Sequence, residues 1–149
     1  MAEKQPTITD RIKADHQQIM ETISELERRA VEPGRDALVP IFGRMRANLL
    51  AHMVTEEEFV YDLLEQEMRE WIETSRRDHQ TIRDHLATLA ADGMPPAAWG
   101  DRLLAMRQTL EAHIAEEDRA VLPQLEMDYD LERLRDLGDE YARREQEAP

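Results

Sequence analysis

Two stretches of the sequence place a histidine four residues ahead of a glutamate, His52 with Glu56 and His113 with Glu117; two others read Asp-His-Gln, at His16 and His79. On a helix, residues four apart share a face with their side chains about 6 Å apart, so each HxxxE pair aims an imidazole and a carboxylate the same way. Such donors hold cations. Four imidazoles with two carboxylates exceed what one zinc ion takes and suit calcium poorly, since calcium wants oxygen ligands. Two first-row transition metals fit the set, with iron ahead of manganese because the set is rich in nitrogen. If Glu56 and Glu117 each bridge both ions, the protein fills about eight of roughly twelve octahedral positions. An oxo or hydroxo bridge fills two more, and the remaining positions stay open to dioxygen, nitric oxide or hydrogen peroxide.

For these residues to meet, the chain must bring four helices side by side. Apolar residues recur at spacings of three and four through four long segments. The first runs from about Ile8 to Ala30, with Thr9 or Asp10 as its cap, and stops at the Pro33-Gly34 breaker. The second runs from about Asp36 to Met68, with Pro40 in its first turns. The third spans about Trp71 to Ala91 and ends at the loop Asp92-Gly93-Met94-Pro95-Pro96; the fourth spans about Ala98 to Leu122 and is stopped by Pro123. Leu131, Leu134, Leu137 and Tyr141 mark a short amphipathic helix laid across one end, followed by eight frayed residues. Short connections make neighbouring helices antiparallel. The expectation is an all-α fold, an up-down-up-down four-helix bundle with a short C-terminal helix. It forms a single domain over residues 1–149, with the bundle at about 8–125 and the C-terminal helix and tail at about 128–149.

The inward seams read Ile8, Ile12, His16, Ile19, Ile23, Leu26; Phe42, Met45, Leu49, His52, Glu56, Phe59, Leu63; Ile72, Ser75, His79, Ile82, Leu86, Leu89; and Trp99, Leu103, Met106, Leu110, His113, Glu117, Val121. Each is apolar except at one level. An unpaired carboxylate there costs several kcal/mol, which a cation would offset. The interruptions repeat: Asp15-His16-Gln17-Gln18-Ile19 matches Asp78-His79-Gln80-Thr81-Ile82, and His52-Met53-Val54-Thr55-Glu56-Glu57 matches His113-Ile114-Ala115-Glu116-Glu117-Asp118. Two similar hairpins with a pseudo-two-fold site follow. At about 1.5 Å per residue, His16 and His52 stand roughly 21 and 24 Å from their shared loop, and His79 and His113 roughly 18 and 22 Å from theirs. Six ligands converge at one level.

Other residues carry blander readings. A lone histidine on an apolar face is more often a hydrogen-bonded core residue, and His85, six residues past His79, falls off the seam and reads as solvated. Glu57, Glu58, Glu116 and Asp118 point sideways or outward and read mainly as surface charge. Tyr61, nine residues from His52, falls on the opposite face and makes a poor redox tyrosine. The methionines read as core filler. There is no P-loop, GxGxxG, GxSxG or HExxH. Without cysteine there is no disulfide, thiol catalysis or cysteine-bound metal, so histidine and carboxylate must hold any ion. With 19 Lys+Arg against 33 Asp+Glu, a net charge of −14, the chain repels nucleic acid. MAEKQPTITD has no apolar h-region and no run approaches the length that spans a bilayer, so no membrane partner and a cytoplasmic location are expected.

The sequence resembles the hemerythrin-like, or HHE cation-binding, domains from about Ile8 to Leu125, through DHQQI at His16, HMVTEE at His52, DHQTI at His79 and HIAEEDRAVLP at His113. The resemblance implies a four-helix bundle with a non-heme di-iron centre held by His16, His52, Glu56, His79, His113 and Glu117, the two glutamates bridging. Oxygen carriers of this superfamily have a fifth histidine four residues beyond the one matching His79, where this chain has Arg83, and an acidic ligand at the position of Asp118, a substitute for Glu117. The four-His, two-Glu members are the nearer pattern. Members that repair iron centres typically carry a cysteine-bearing N-terminal segment, absent here.

These features imply a protein with two oxo- or hydroxo-bridged non-heme iron ions that reacts with small oxygen or nitrogen species as a peroxide-degrading, catalase-like oxidoreductase. The alternative is a dioxygen or nitric oxide sensor or carrier without turnover. An interaction module with a structural metal is a third reading. A bis-histidine heme bundle is a fourth, and it leaves Glu56 and Glu117 without a role.

Overall fold

The computed structural model describes residues 5–30, 37–64, 66–91 and 93–148. Among them the chain forms five α-helices and no strand: α1 (Ile8–Ala30), α2 (Leu38–Thr55), α3 (Arg69–Ala90), α4 (Pro96–Asp128) and α5 (Leu131–Glu147). A π turn, Glu56–Val60, and a 3-10 turn, Tyr61–Leu63, continue α2. This is an all-α helical bundle. The helix α1 packs on α2 and α4, α3 packs on α4, and α5 packs mainly on α1 and α2. The Pro33-Gly34 breaker, the helix start at Asp36 and Asp92 of the second loop lie outside the described residues.

The seams of α1 and α3 bury the residues their periodicity selects, Ile8, Ile12, His16, Ile19, Ile23 and Leu26 on one and Ile72, Ser75, His79, Ile82, Leu86 and Leu89 on the other. The cap of α1 differs from expectation. Thr7, not Thr9 or Asp10, stands before the first turn: its Oγ1 accepts from Asp10 N and its own N–H donates to Asp10 Oδ2, both at 3.1 Å. This reciprocal pair satisfies two amides that the helix start leaves open.

The second segment stops short of Met68. After Glu56 the backbone widens into the π turn, and the buried positions move on by one residue. Val60 and Leu64 are buried where Phe59 and Leu63 were expected, and Tyr61 turns inward with them. A π turn takes in one extra residue and so rotates everything after it relative to the preceding helix.

Pro123 does not end α4. The proline removes one helical hydrogen bond at a cost of about 3 kcal/mol. Val121, Leu122 and Leu125 around it are buried in the core, each worth about 1.5–3 kcal/mol. Burial outweighs the break, and the helix runs on to Asp128.

The C-terminal helix is longer than expected and continues through most of the segment read as frayed, ending at Glu147. Asp130 caps it, accepting from Arg133 N at 2.8 Å. It buries Leu134, Leu137, Gly138 and Tyr141. Gly138 is where the N-terminal segment crosses it: a Cβ there would stand 2.7 Å from Pro6 O and 2.9 Å from Ile8 N.

Apolar side chains form two clusters. One holds Ile19, Leu26, Leu49, Leu86, Trp99 and Leu110 with their neighbours. The other holds Ile8, Ile12, Val60, Leu64, Val121, Leu125 and Tyr141 with theirs. Between them lies a layer of buried polar residues.

Candidate metal centre

That layer consists of His16 on α1, His52 on α2, Glu56 at the first position of the π turn, His79 on α3, and His113 and Glu117 on α4, all buried. The six residues selected by spacing therefore come together. Glu56 Oε1 lies 3.1 Å from His52 Nε2 and 3.3 Å from His79 Nε2; Glu117 lies 3.1 Å from His16 Nε2 and 3.3 Å from His113 Nε2. Each carboxylate thus stands between one imidazole of each hairpin. The imidazoles form two pairs, His16 with His52 and His79 with His113, whose ring centres are 5.1 and 4.8 Å apart. In the second pair the Nε2 atoms face each other at 3.2 Å.

Each imidazole turns Nδ1 outward to a carboxylate on another element. His52 meets Asp15 at 2.9 Å and His113 meets Asp78 at 3.2 Å, both within a hairpin. His79 meets Glu57 at 2.7 Å and His16 meets Asp118 at 3.2 Å, both between hairpins. The pseudo-two-fold repeat therefore includes the outer partners: the residue before each single histidine, and the residue after each glutamate. A carboxylate on Nδ1 fixes the tautomer and leaves the Nε2 lone pair facing the centre. The sequence reading gives none of the four this role: Glu57 and Asp118 read mainly as surface charge, Asp118 also as a substitute for Glu117. The signal was the acidic residue before each single histidine and after each glutamate, repeated in both halves.

Two of the expectations for flanking residues change accordingly. Glu57 is not surface charge: it also accepts both guanidinium nitrogens of Arg83 at 2.8 Å. Asp118 holds the outer nitrogen of His16 and does not face the centre. Glu58 and Glu116 are exposed as expected, Glu116 pairing with Arg119. Arg83 points to Glu57, and the position on α3 that faces the layer one turn from His79 is Ser75. His85 is half-buried, with Nδ1 3.4 Å from Arg102 Nη1, and takes no part.

Tyr61 is the larger correction. The π turn swings it inward, so its hydroxyl meets Ser75 Oγ and lies 3.2 Å from His79 Nε2, with its ring stacked on His79 at 5.8 Å. The expectation of an opposite face assumed an unbroken α-helix. Trp71, in edge contact with Tyr61, stacks on His113. A cavity of about 320 Å³ lined by Trp71, Ser75, Asp78 and His113 reaches this side of the layer.

No Lys or Arg stands among the buried residues of the layer. Both oxygens of Glu56 and of Glu117, together with His16 Nε2, are buried without a hydrogen-bond partner, an arrangement that costs several kcal/mol unless something else satisfies it. In the metal-free chain protons meet part of the demand. Burial works against a charged imidazole, yet Glu56 and Asp15 hold His52 well above its ordinary value. Burial likewise opposes charging of His79, but Glu56 and Glu57 raise it, and Glu117 with Glu56 pushes His113 up to about 9. Burial would raise Glu56, but the charge of His52, with Glu117 and His79 close by, holds it well below the usual carboxylate range. Glu57, despite burial, is held at about 2 by His79 and Arg83. Burial and the carboxylates of the layer raise Tyr61, which stays protonated. The donors fit cations. Nε2 of His16 and His52 with oxygens of Glu56 and Glu117 form one group of mutually close ligand atoms, and Glu56 with His79 and His113 forms a second that shares Glu56.

Among the described residues no helix is long and apolar enough to cross a membrane. The family model described as "Hemerythrin HHE cation binding domain" matches residues 7–125. Neither the curated proteins nor the solved structures contain a significant match.

Proposed function

The chain belongs to the hemerythrin HHE cation binding domain family, and on that premise we propose that His16, His52, Glu56, His79, His113 and Glu117 hold two non-heme iron ions, with Glu56 and Glu117 bridging. The observation that carries this reading is the set of four orphaned carboxylate oxygens enclosed by four Nε2 atoms. Eight donors of this kind serve two ions rather than one, and their nitrogen content favours iron over manganese. When bound, such a pair supplies redox chemistry on dioxygen, nitric oxide or peroxide at its open positions.

The specific reaction we propose is peroxide consumption, catalase-like. Protein groups support turnover on the side of His79 and His113. The cavity at Trp71 and Ser75 gives small molecules a way in, and the Tyr61 hydroxyl keeps a proton beside His79 with Ser75 as its partner. Asp15, Glu57, Asp78 and Asp118 hold the imidazoles in place while charge changes at the centre. Apolar clusters on both sides exclude water.

Purified protein loaded with iron(II) without oxygen should hold about two irons per chain and develop near-ultraviolet charge-transfer bands on oxidation. A single zinc, or no metal after loading, sinks the reading. Rapid oxygen evolution on adding hydrogen peroxide supports the enzyme. Slow bleaching of the iron spectrum, with reversible binding of dioxygen or nitric oxide, supports a sensor or carrier instead.

A further inference from the structure

The helix α5 lies beyond the residues that match the family, and it reaches the back of one imidazole. Tyr141 is fully buried. Its hydroxyl lies 2.8 Å from His52 Nδ1 and donates to Asp15 Oδ2, the same oxygen that stands 2.9 Å from His52 Nδ1. Glu145, one turn further, comes within 4.0 Å of that nitrogen.

The four outer carboxylates are not equally held. Asp78 and Asp118 are 39% and 43% exposed, whereas Asp15 and Glu57 are 21% and 16% exposed and each has a second partner, Tyr141 for Asp15 and Arg83 for Glu57. One firmly held imidazole therefore belongs to each histidine pair. A carboxylate that already accepts from a buried phenol has few rotamers left. It fixes the ring plane and tautomer of the histidine it serves more tightly than an exposed one does.

We propose that Tyr141 is a positioning residue that couples the docking of α5 to the hold of His52 on a bound cation. The inference rests on the metal reading above. The coupling is reciprocal by linkage: a cation on His52 Nε2 strengthens the pull of Nδ1 on Asp15 and Tyr141 and keeps α5 on the bundle, and loss of the phenol loosens the cation. The signal for Tyr141 in the sequence was its place on the apolar stripe of the last helix, but nothing in that stripe shows that its hydroxyl ends at a histidine of α2.

The test uses the full chain loaded anaerobically with iron(II), with metal content measured first. A wild-type chain that takes up no metal overturns both the metal reading and this inference. With metal bound, Tyr141→Phe should release iron to excess ferrous chelator about 10-fold faster or more. It should also shift one of the paramagnetically displaced imidazole N–H proton resonances. Leu134→Ala weakens the packing of the same helix but keeps the phenol, and should lower the melting temperature while speeding release far less than Tyr141→Phe does. Release from Tyr141→Phe at the wild-type rate overturns the proposal, and so does equal acceleration in Leu134→Ala, which would assign the effect to helix packing alone. If Tyr141→Phe does not fold, Asp15→Asn replaces it. Faster release is again the expected result, and an unchanged rate overturns the proposal.

Discussion

Glu57 and His79 are joined by a hydrogen bond of 2.7 Å between neighbouring elements, with Arg83 forked onto the same carboxylate. The guanidinium fixes the carboxylate, and the carboxylate fixes the imidazole. Glu57→Gln loses the charge while keeping the shape, and metal affinity should fall by about 10- to 100-fold. Competition with a chelator measures it. Glu116→Gln, at an exposed site paired only with Arg119, should change nothing.

Protons would compete with any cation that enters the polar layer. In the metal-free chain His52 and His79 titrate above the ordinary imidazole value and His113 at about 9. A raised folded-state value gives stability that is complete below the unfolded value of about 6.5 and is lost as pH rises through the folded value. The melting temperature of the metal-free protein should therefore fall between pH 6.5 and about 9. Bound cations need neutral imidazoles, so the rise in melting temperature on metal loading should grow over the same range. Calorimetry of both forms checks this, and a metal-induced shift that stays constant with pH would contradict it.

Gly138→Ala places a Cβ 2.7 Å from Pro6 O and 2.9 Å from Ile8 N. Both are backbone atoms and cannot turn aside, so α5 or the N-terminal segment must move. The expected loss is about 1–3 kcal/mol in denaturant unfolding. Because Gly138 lies one turn before Tyr141, metal release should also quicken.

Pro123 is exposed and sits inside α4. Pro123→Ala restores an N–H for Arg119 O, against a small gain in unfolded-chain entropy. Stability should rise by roughly 1–3 kcal/mol, seen as a melting temperature higher by about 2–4 °C per kcal/mol.

Much of the bundle can be read from period alone. In α1 and α3 nothing interrupts the 3.6-residue repeat, so the apolar stripe names the buried residues and the one polar gap names the histidine. The repeat of the two hairpins brought all six inner residues to one level for the same reason. Beyond Glu56 period no longer suffices, because a π turn leaves no mark in hydrophobic spacing and puts Val60 and Leu64 in the places expected of Phe59 and Leu63, with Tyr61 turned inward beside them. Proline at position 123 was read by its local cost, which the burial of Val121 and Leu125 exceeds. The outer carboxylates escaped for a different reason. Each serves a histidine on another element, and a pattern along one helix carries no information about its neighbour. Tyr141 belongs with them, since the contact it makes spans 89 residues of chain.

The polar layer divides the oily interior into two compartments that share no side chain. Taken alone, each is a small droplet with its own set of helix ends around it. What joins them is a waist of six titratable groups that repel or attract according to their charge. A bundle built this way has a plane of weakness across its middle, and cations seated there would act as rivets. Such a fold would respond to metal as one body when loaded, and as two halves sharing a soft joint when stripped.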